Sequence, residues 1–219
     1  MKILRQRGIS VNWAEPKYGM TAAYVAAQEG HAQCLSLLAQ HGSADLSKAS
    51  KDGAAPIHIA CQNDKYDCVK VLLDNHVDAN LPLANESGAT PTMLASINGH
   101  VKLLALLLDR GSDPNLSTSG GVTAAHKACR HGHLKCLQLL RERSADLNER
   151  NAGGDTPLDW ARTYRQPECV DLLLACGYIG RNKKELVVLP EATKVRVHNC
   201  RLSKCVPLAP RLTPLSYVL

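Results

Sequence analysis

Short apolar clusters recur along most of the chain, each closed by a polar turn. The strongest are Cys34-Leu35-Ser36-Leu37-Leu38, Cys68-Val69-Lys70-Val71-Leu72-Leu73, Leu103-Leu104-Ala105-Leu106-Leu107-Leu108, Cys136-Leu137-Gln138-Leu139-Leu140 and Cys169-Val170-Asp171-Leu172-Leu173-Leu174. Turn segments such as Asp78-Ala79-Asn80, Asp113-Pro114-Asn115 and Asp146-Leu147-Asn148 follow them, and Asx residues favour turns and left-handed backbone. Before each cluster lies a second, shorter apolar stretch: Met20-Thr21-Ala22-Ala23-Tyr24-Val25-Ala26, Ala54-Ala55-Pro56-Ile57-His58-Ile59-Ala60, Ala89-Thr90-Pro91-Thr92-Met93-Leu94-Ala95, Val122-Thr123-Ala124-Ala125-His126-Lys127-Ala128 and Asp155-Thr156-Pro157-Leu158-Asp159-Trp160-Ala161. The pattern predicts pairs of short helices and no strands.

The pairs keep a strict register. Gly19, Gly53, Gly88, Gly121 and Gly154 are spaced by 34, 35, 33 and 33 residues, the mark of a stacked repeat. Thr21, Thr90, Thr123 and Thr156 sit where an N-cap hydroxyl accepts from the otherwise unpaired amides of a first helical turn. Pro56, Pro91 and Pro157 fall at the first helical position, where the missing N–H costs nothing. Ala26, Ala60, Ala95, Ala128 and Ala161 permit close helix approach. Gly30, Gly99 and Gly132 stand where the first helix must stop in a left-handed cap. Asp64 and Arg165 replace that glycine in copies two and five, so those repeats are expected to be locally weaker.

These motifs resemble the Thr-Pro-Leu-His-x-Ala signature of the ankyrin repeat, whose period is about 33 residues. The resemblance implies an all-α ankyrin-repeat solenoid of helix-turn-helix units with β-turn fingers, five repeats over 19–177. Residues 1–18 read as a partial leading repeat, because Gly8 lies 34 residues before Gly42. A chain starting inside a repeat is expected to be a fragment, a shortened isoform or the product of a gene model with a lost 5′ end.

Composition agrees with stacked helices: aromatics are 4% of the 219 residues and phenylalanine is absent. No apolar run reaches the roughly 20 residues of a membrane span, and Met1-Lys2-Ile3-Leu4-Arg5-Gln6-Arg7 is unlike a signal peptide. The chain is therefore read as intracellular, cytoplasmic with a nuclear alternative, and its nine cysteines as free thiols. The net charge of +6 is confined to one end: residues 178–219 carry eight basic and two acidic side chains, the rest 18 of each.

Catalytic and metal chemistry is not expected. Cys129-Arg130-His131-Gly132-His133 with Cys136 has zinc-type ligands, but Cys136 shares its repeat position with Cys34, Cys68 and Cys169, and Cys129 with Cys61. Such recurrence reads as packing, since free cysteine behaves as a small hydrophobe. His198, Cys200 and Cys205 offer three ligands where a closed zinc site takes four. No Gly-x-Ser-x-Gly, P-loop or Gly-x-Gly-x-x-Gly motif is present. His58 and His126 belong to the repeat signature and are assigned to turn hydrogen bonding. No cofactor is implied. The dispersed basic residues of 178–219 lack interleaved aromatics, so nucleic acid is not the expected partner.

The expected function is protein recognition on the extended concave surface of the array. Partner-binding candidates are Trp13, Tyr18, Lys51, Asp52, Glu86, Ser87, Ser119 and Arg150 at the finger tips. Trp13 and Tyr18 stand out as hot-spot residue types, although Trp13 reads equally well as packing on the end of the array. Trp160 shares its position with Val25, Ile59, Leu94 and Lys127 and is expected in the core.

Residues 178–219 read as an irregular basic tail. An ankyrin array followed by such a segment is similar in layout to the ankyrin-and-SOCS-box family, whose box binds elongins B and C and a cullin. Leu189, Thr193 and Val197, followed by His198, fall at the box's Leu, Cys and Ile/Val-Arg places, so its Cys and Arg are replaced. That layout implies a substrate-recognition subunit of a cullin-RING ubiquitin ligase. The alternative is an ankyrin scaffold or inhibitor with a disordered basic tail and no ligase link.

Overall fold

The computed structural model describes residues 10–85, 87–178 and 180, which lie within one compact unit spanning Met1–Lys183. Among them are ten helices in five pairs: α1 Ala22–Glu29 with α2 Ala32–Gln40, α3 Pro56–Gln62 with α4 Tyr66–Asp74, α5 Pro91–Asn98 with α6 Val101–Asp109, α7 Ala124–His131 with α8 Leu134–Glu142, and α9 Pro157–Thr163 with α10 Pro167–Ala175. Odd helices pack on odd and even on even, so two helical layers run through the array. The expected all-α repeat architecture is what forms.

Local chemistry starts and stops each first helix. Thr21, Thr90 and Thr156 accept, through Oγ1, from the amides of Tyr24, Met93 and Asp159. Thr123 departs from this expectation: its hydroxyl bonds Nδ1 of His126 at 2.9 Å, because a histidine occupies the facing position of that turn. Gly30, Gly99 and Gly132 adopt φ of 87°, 74° and 72°. Asp64 and Arg165 are forced into the same region, at 52° and 55°.

The ends of the second helices repeat the demand. There Gly42, Gly111 and Gly177 alternate with His76 (φ 62°) and Ser144 (φ 63°). A side chain in this conformation costs roughly 1–2 kcal/mol, against about 0.5–1 kcal/mol of extra chain entropy lost by glycine. Ser144→Gly and Arg165→Gly should therefore each stabilise the array by about 0.5–1 kcal/mol. Urea midpoints will check this; unchanged or lower midpoints contradict the strain argument.

The core runs without interruption between the layers. Ala60, Ala95, Ala128 and Ala161 are fully buried and Ala26 nearly so, and Leu72, Leu104, Leu107, Leu137, Leu140 and Leu173 fill the space beside them. Cys68, Cys136 and Cys169 are buried as packing residues, whereas Cys34, at the same repeat position, is exposed. The position is covered by the preceding repeat: Cys68 Sγ lies 3.8 Å from Ala26 O. Among the described residues, nothing plays that part for the first repeat.

Polar bonds clamp each repeat to the next. Asn12, Asn80 and Asn115 accept, through Oδ1, from the amides of Asp45, Asp113 and Asp146 at 2.7–2.8 Å. Ser47 holds the corresponding place in the second turn. Beside it opens a cleft of about 220 Å³ lined by residues that include Ala44, Leu46, His76 and Val77. A second set of clamps serves the ends of the first helices, whose last carbonyls have no partner within the helix. His100 Nε2 reaches Gln62 O at 3.2 Å, His133 Nε2 reaches Ile97 O at 2.9 Å, and Gln166 Nε2 reaches Arg130 O at 3.4 Å. Gly99 makes room for this, since a Cβ there would sit 2.6 Å from the His133 ring.

Candidate protein-binding face

Between successive helix pairs the chain runs out into a finger. The tips close tightly: the amides of Gly53, Gly88, Gly121 and Gly154 donate to the carbonyls of Ser50, Asn85, Thr118 and Asn151 at 2.8–3.1 Å. Neighbouring fingers are then joined through their backbones, Lys51 N to Tyr18 O, Ala84 N to Gly53 O and Ala152 N to Gly120 O, at 2.8–2.9 Å. Gly53 is required here, since a Cβ would lie 2.6 Å from the Ala84 carbonyl carbon. At Gly88, in the finger that carries one extra residue, a Cβ would meet open space.

Buried histidines lock two fingers to the helices. The amide of Ala55 donates to His58 Nδ1 at 3.0 Å, and His58 Nε2 lies 2.7 Å from Leu81 O. A carbonyl can only accept, so Nε2 carries the proton and the ring is neutral. His126 repeats the arrangement with Thr123 N at 3.3 Å and Asp155 O at 3.0 Å. Burial lowers the pKa of both rings, partly offset by these carbonyl contacts. The assignment of both histidines to turn hydrogen bonding holds, and the second nitrogen adds a link to the next repeat. In the fifth repeat Asp159 does the capping, its Oδ2 accepting from the amide and hydroxyl of Thr156 at 2.9 and 2.8 Å.

Trp13, Tyr18, Lys51, Asp52, Ser87, Ser119 and Arg150 are all exposed on or beside the fingers; Glu86 is outside the described residues. Trp13 is 57% exposed and borders a notch with Val11, Met20 and Val25. Lys17 Nζ sits 4.7 Å above the Tyr18 ring. Several of these side chains also bind within the fingers: Lys51 Nζ donates to Pro16 O at 2.6 Å, Ser87 Oγ to Asn85 Oδ1 at 2.6 Å and Arg150 to Gly154 O at 2.8 Å. Their positions are thus held before any partner arrives. Leu189, Thr193, Val197 and the rest of 181–219 lie outside the described residues.

The sequence reading assigned the concave surface to the finger tips and first helices but named partner-binding residues only in the fingers. Helical positions three and four apart share a side, and three columns cross the array on the first-helix face: Val25, Ile59, Leu94, Lys127 and Trp160; Gln28, Gln62, Ile97, Arg130 and Thr163; Glu29, Asn63, Asn98, His131 and Tyr164. Trp160 is half-buried rather than internal, because its column forms the edge of the core. Its ring meets His126 edge-on at 5.3 Å and Tyr164 at 6.0 Å. Arg130 lies over the Tyr164 ring at 4.9 Å. The signal was present in the lysine that interrupts the apolar column at position 127.

The cysteine and histidine cluster splits as the repeat register requires. Cys129 and Cys136 are wholly buried, while His131 faces out and stacks on His133 at 6.1 Å. Burial pushes the Cys136 thiol up to about 11, and thiols raised in this way are poor nucleophiles. Among the described residues, no three His, Cys, Asp or Glu side chains are grouped to hold a metal ion, and no helix is long and apolar enough to cross a membrane.

The family model described as ankyrin repeats (3 copies) matches residues 1–83, 48–118 and 92–184, so the chain belongs to the ankyrin-repeat family and is built as a protein–protein interaction module. Two curated relatives are similar to part of the chain. The target of rapamycin complex 2 subunit AVO2 of Saccharomyces cerevisiae is 42% identical over 25% of this chain. Protein phosphatase 1 regulatory subunit 27 of Mus musculus is 31% identical over 33% of it. The matched regions span 13% and 46% of those relatives.

Proposed function

We propose that the chain acts by binding one protein partner across its finger tips and first-helix face, without catalysing a reaction. The observation that carries this is the row of fingers joined through their backbones, which presents exposed Trp13, Tyr18, Asp52, Ser119 and Arg150. A backbone already held by hydrogen bonds loses little entropy on binding. The two relatives, one a subunit of a complex and the other a regulatory subunit by name, point the same way.

Trp13→Ala and Tyr18→Ala test the reading in the full chain. For partners isolated with the wild-type protein, loss of either ring should weaken binding about 30-fold, the effect of a 2 kcal/mol hot spot. Melting temperatures should stay within about 2 °C, as expected for exposed positions. Normal affinity of both variants would move the site off the first fingers.

The narrower reading, a substrate-selecting subunit of a cullin-RING ligase in the cytoplasm, is supported by the layout of 178–219 alone. It requires co-purification of elongins B and C with the full chain and their loss from a chain ending at Gly177. Without that co-purification the scaffold or inhibitor reading replaces it.

A further inference from the structure

Charge is distributed unevenly over the first-helix face. In its three columns the only carboxylate is Glu29, at one end. Repeats two and three present Ile59, Leu94, Ile97, Gln62, Asn63 and Asn98, which are apolar or neutral. Repeats four and five present Lys127, Arg130 and His131 beside Trp160 and Tyr164. The ion pairs Arg110 with Asp74, Arg143 with Asp109, and His100 with Asp64 lie away from these cations.

The basic group is held together at a cost. Lys127 and Arg130 are three residues apart on α7, hence neighbours on one side of the helix, and like charges so placed repel. Partial burial, and after it Arg130, lowers the pKa of Lys127. His131 is lowered by burial and by Arg130, His133 and Lys127. Glu149 and Asp155, the carboxylates of the neighbouring finger, act on His126 below. Arg130 is braced by Tyr164, an arrangement that fixes a guanidinium in place and leaves its N–H donors available.

We infer that the first-helix face of repeats three to five is the docking surface for an acidic segment of a protein partner, its carboxylates on Lys127 and Arg130 and its apolar side chains on Leu94, Ile97 and Trp160. This deepens the proposed function and rests on it. The chain's own residues 178–219 are excluded as occupant by sign, with eight basic and two acidic side chains. A polyanion such as single-stranded nucleic acid would satisfy the cations but not the apolar row leading to them. An acidic peptide satisfies both, and the half-buried setting of Lys127 strengthens its ion pair over one in open solvent.

The test selects from a random 12-residue peptide library on the full-length chain. Enrichment of Asp and Glu around one or two apolar residues is expected. The selected peptide should bind at least about tenfold more weakly to Lys127→Glu/Arg130→Glu, and more weakly to wild type as salt rises. Lys102→Glu, an exposed charge reversal on the second helix α6, should bind it as wild type does. Lys127→Gln/Arg130→Gln gives the same reading if the charge reversal fails to fold. Selected peptides without acidic bias, unaltered binding to both double variants, or tighter binding of a 12-nucleotide single strand would each overturn the assignment. Binding of an isolated partner that is lost in Trp13→Ala but retained in Lys127→Gln/Arg130→Gln sinks this inference and leaves the proposed function standing.

Discussion

Leu104→Ala should cost about 2–5 kcal/mol and separate the unfolding of the two halves of the array. Leu104 is fully buried on α6, the second helix of the middle repeat, in the layer that also touches α4 and α8. In a solenoid each repeat contacts only its neighbours, so stability is close to a sum of repeat and interface terms. A cavity in the middle weakens the only route by which the ends cooperate. The same exchange at Leu173, equally buried but in the last repeat, should fray one end and leave the remainder cooperative.

The chain's two tryptophans make the comparison direct. Trp13 lies beside the first repeat and Trp160 in the fifth. With each in turn replaced by phenylalanine, urea unfolding followed by fluorescence should coincide at the two ends in the parent. It should diverge in Leu104→Ala, and coincident curves there would rule out the uncoupling.

The second large effect concerns His58 and His126. Each ring accepts at Nδ1 from the N-cap amide and donates from Nε2 to the next finger. Alanine leaves those buried backbone groups unpaired, at about 1–3 kcal/mol per site, and the two sites, in different repeats, should add. Protonation breaks the same arrangement, since a charged ring has no acceptor at Nδ1. Both folded pKa values lie below the unfolded one of about 6.5. The unfolded chain therefore binds protons first as the solution is acidified. The stabilisation is complete above pH about 6.5 and is lost as pH falls through the depressed folded values.

Hydrogen exchange should localise the loss to the starts of α3 and α7. Asp159 caps α9 without a histidine and gives an internal control. Loss of stability below pH 6.5 should shrink in His58→Ala/His126→Ala; an unchanged acid slope would assign it to other groups.

Most of the local architecture was legible because its causes are local and recur. Cap threonines, first-turn prolines and stop glycines act within a few residues, and five copies in one register reinforce one another. Even Asp64 and Arg165 could be read as strained, since their partners in register are glycines. The legible part of the candidate binding face was its fingers, whose tip residues are exposed.

What escaped were relations between repeats. Cys34 and Cys68 look alike within their own helices, yet one is exposed and the other buried, because burial comes from the preceding repeat. His126 shows its cap in the sequence, but not that Nε2 reaches Asp155 O, 29 residues on. Arg130 and Tyr164, 34 residues apart, meet only when α9 stacks on α7.

By itself, then, the sequence determined the period, the helix pairs, their caps and the finger tips, all written in short-range chemistry. Stacking alone decided which side chains become neighbours across repeats, and so where cation and aromatic rings collect on one face. The physical reason is distance along the chain: a helix start is settled within one turn, whereas a surface built from residues a whole repeat apart exists only once the repeats are packed.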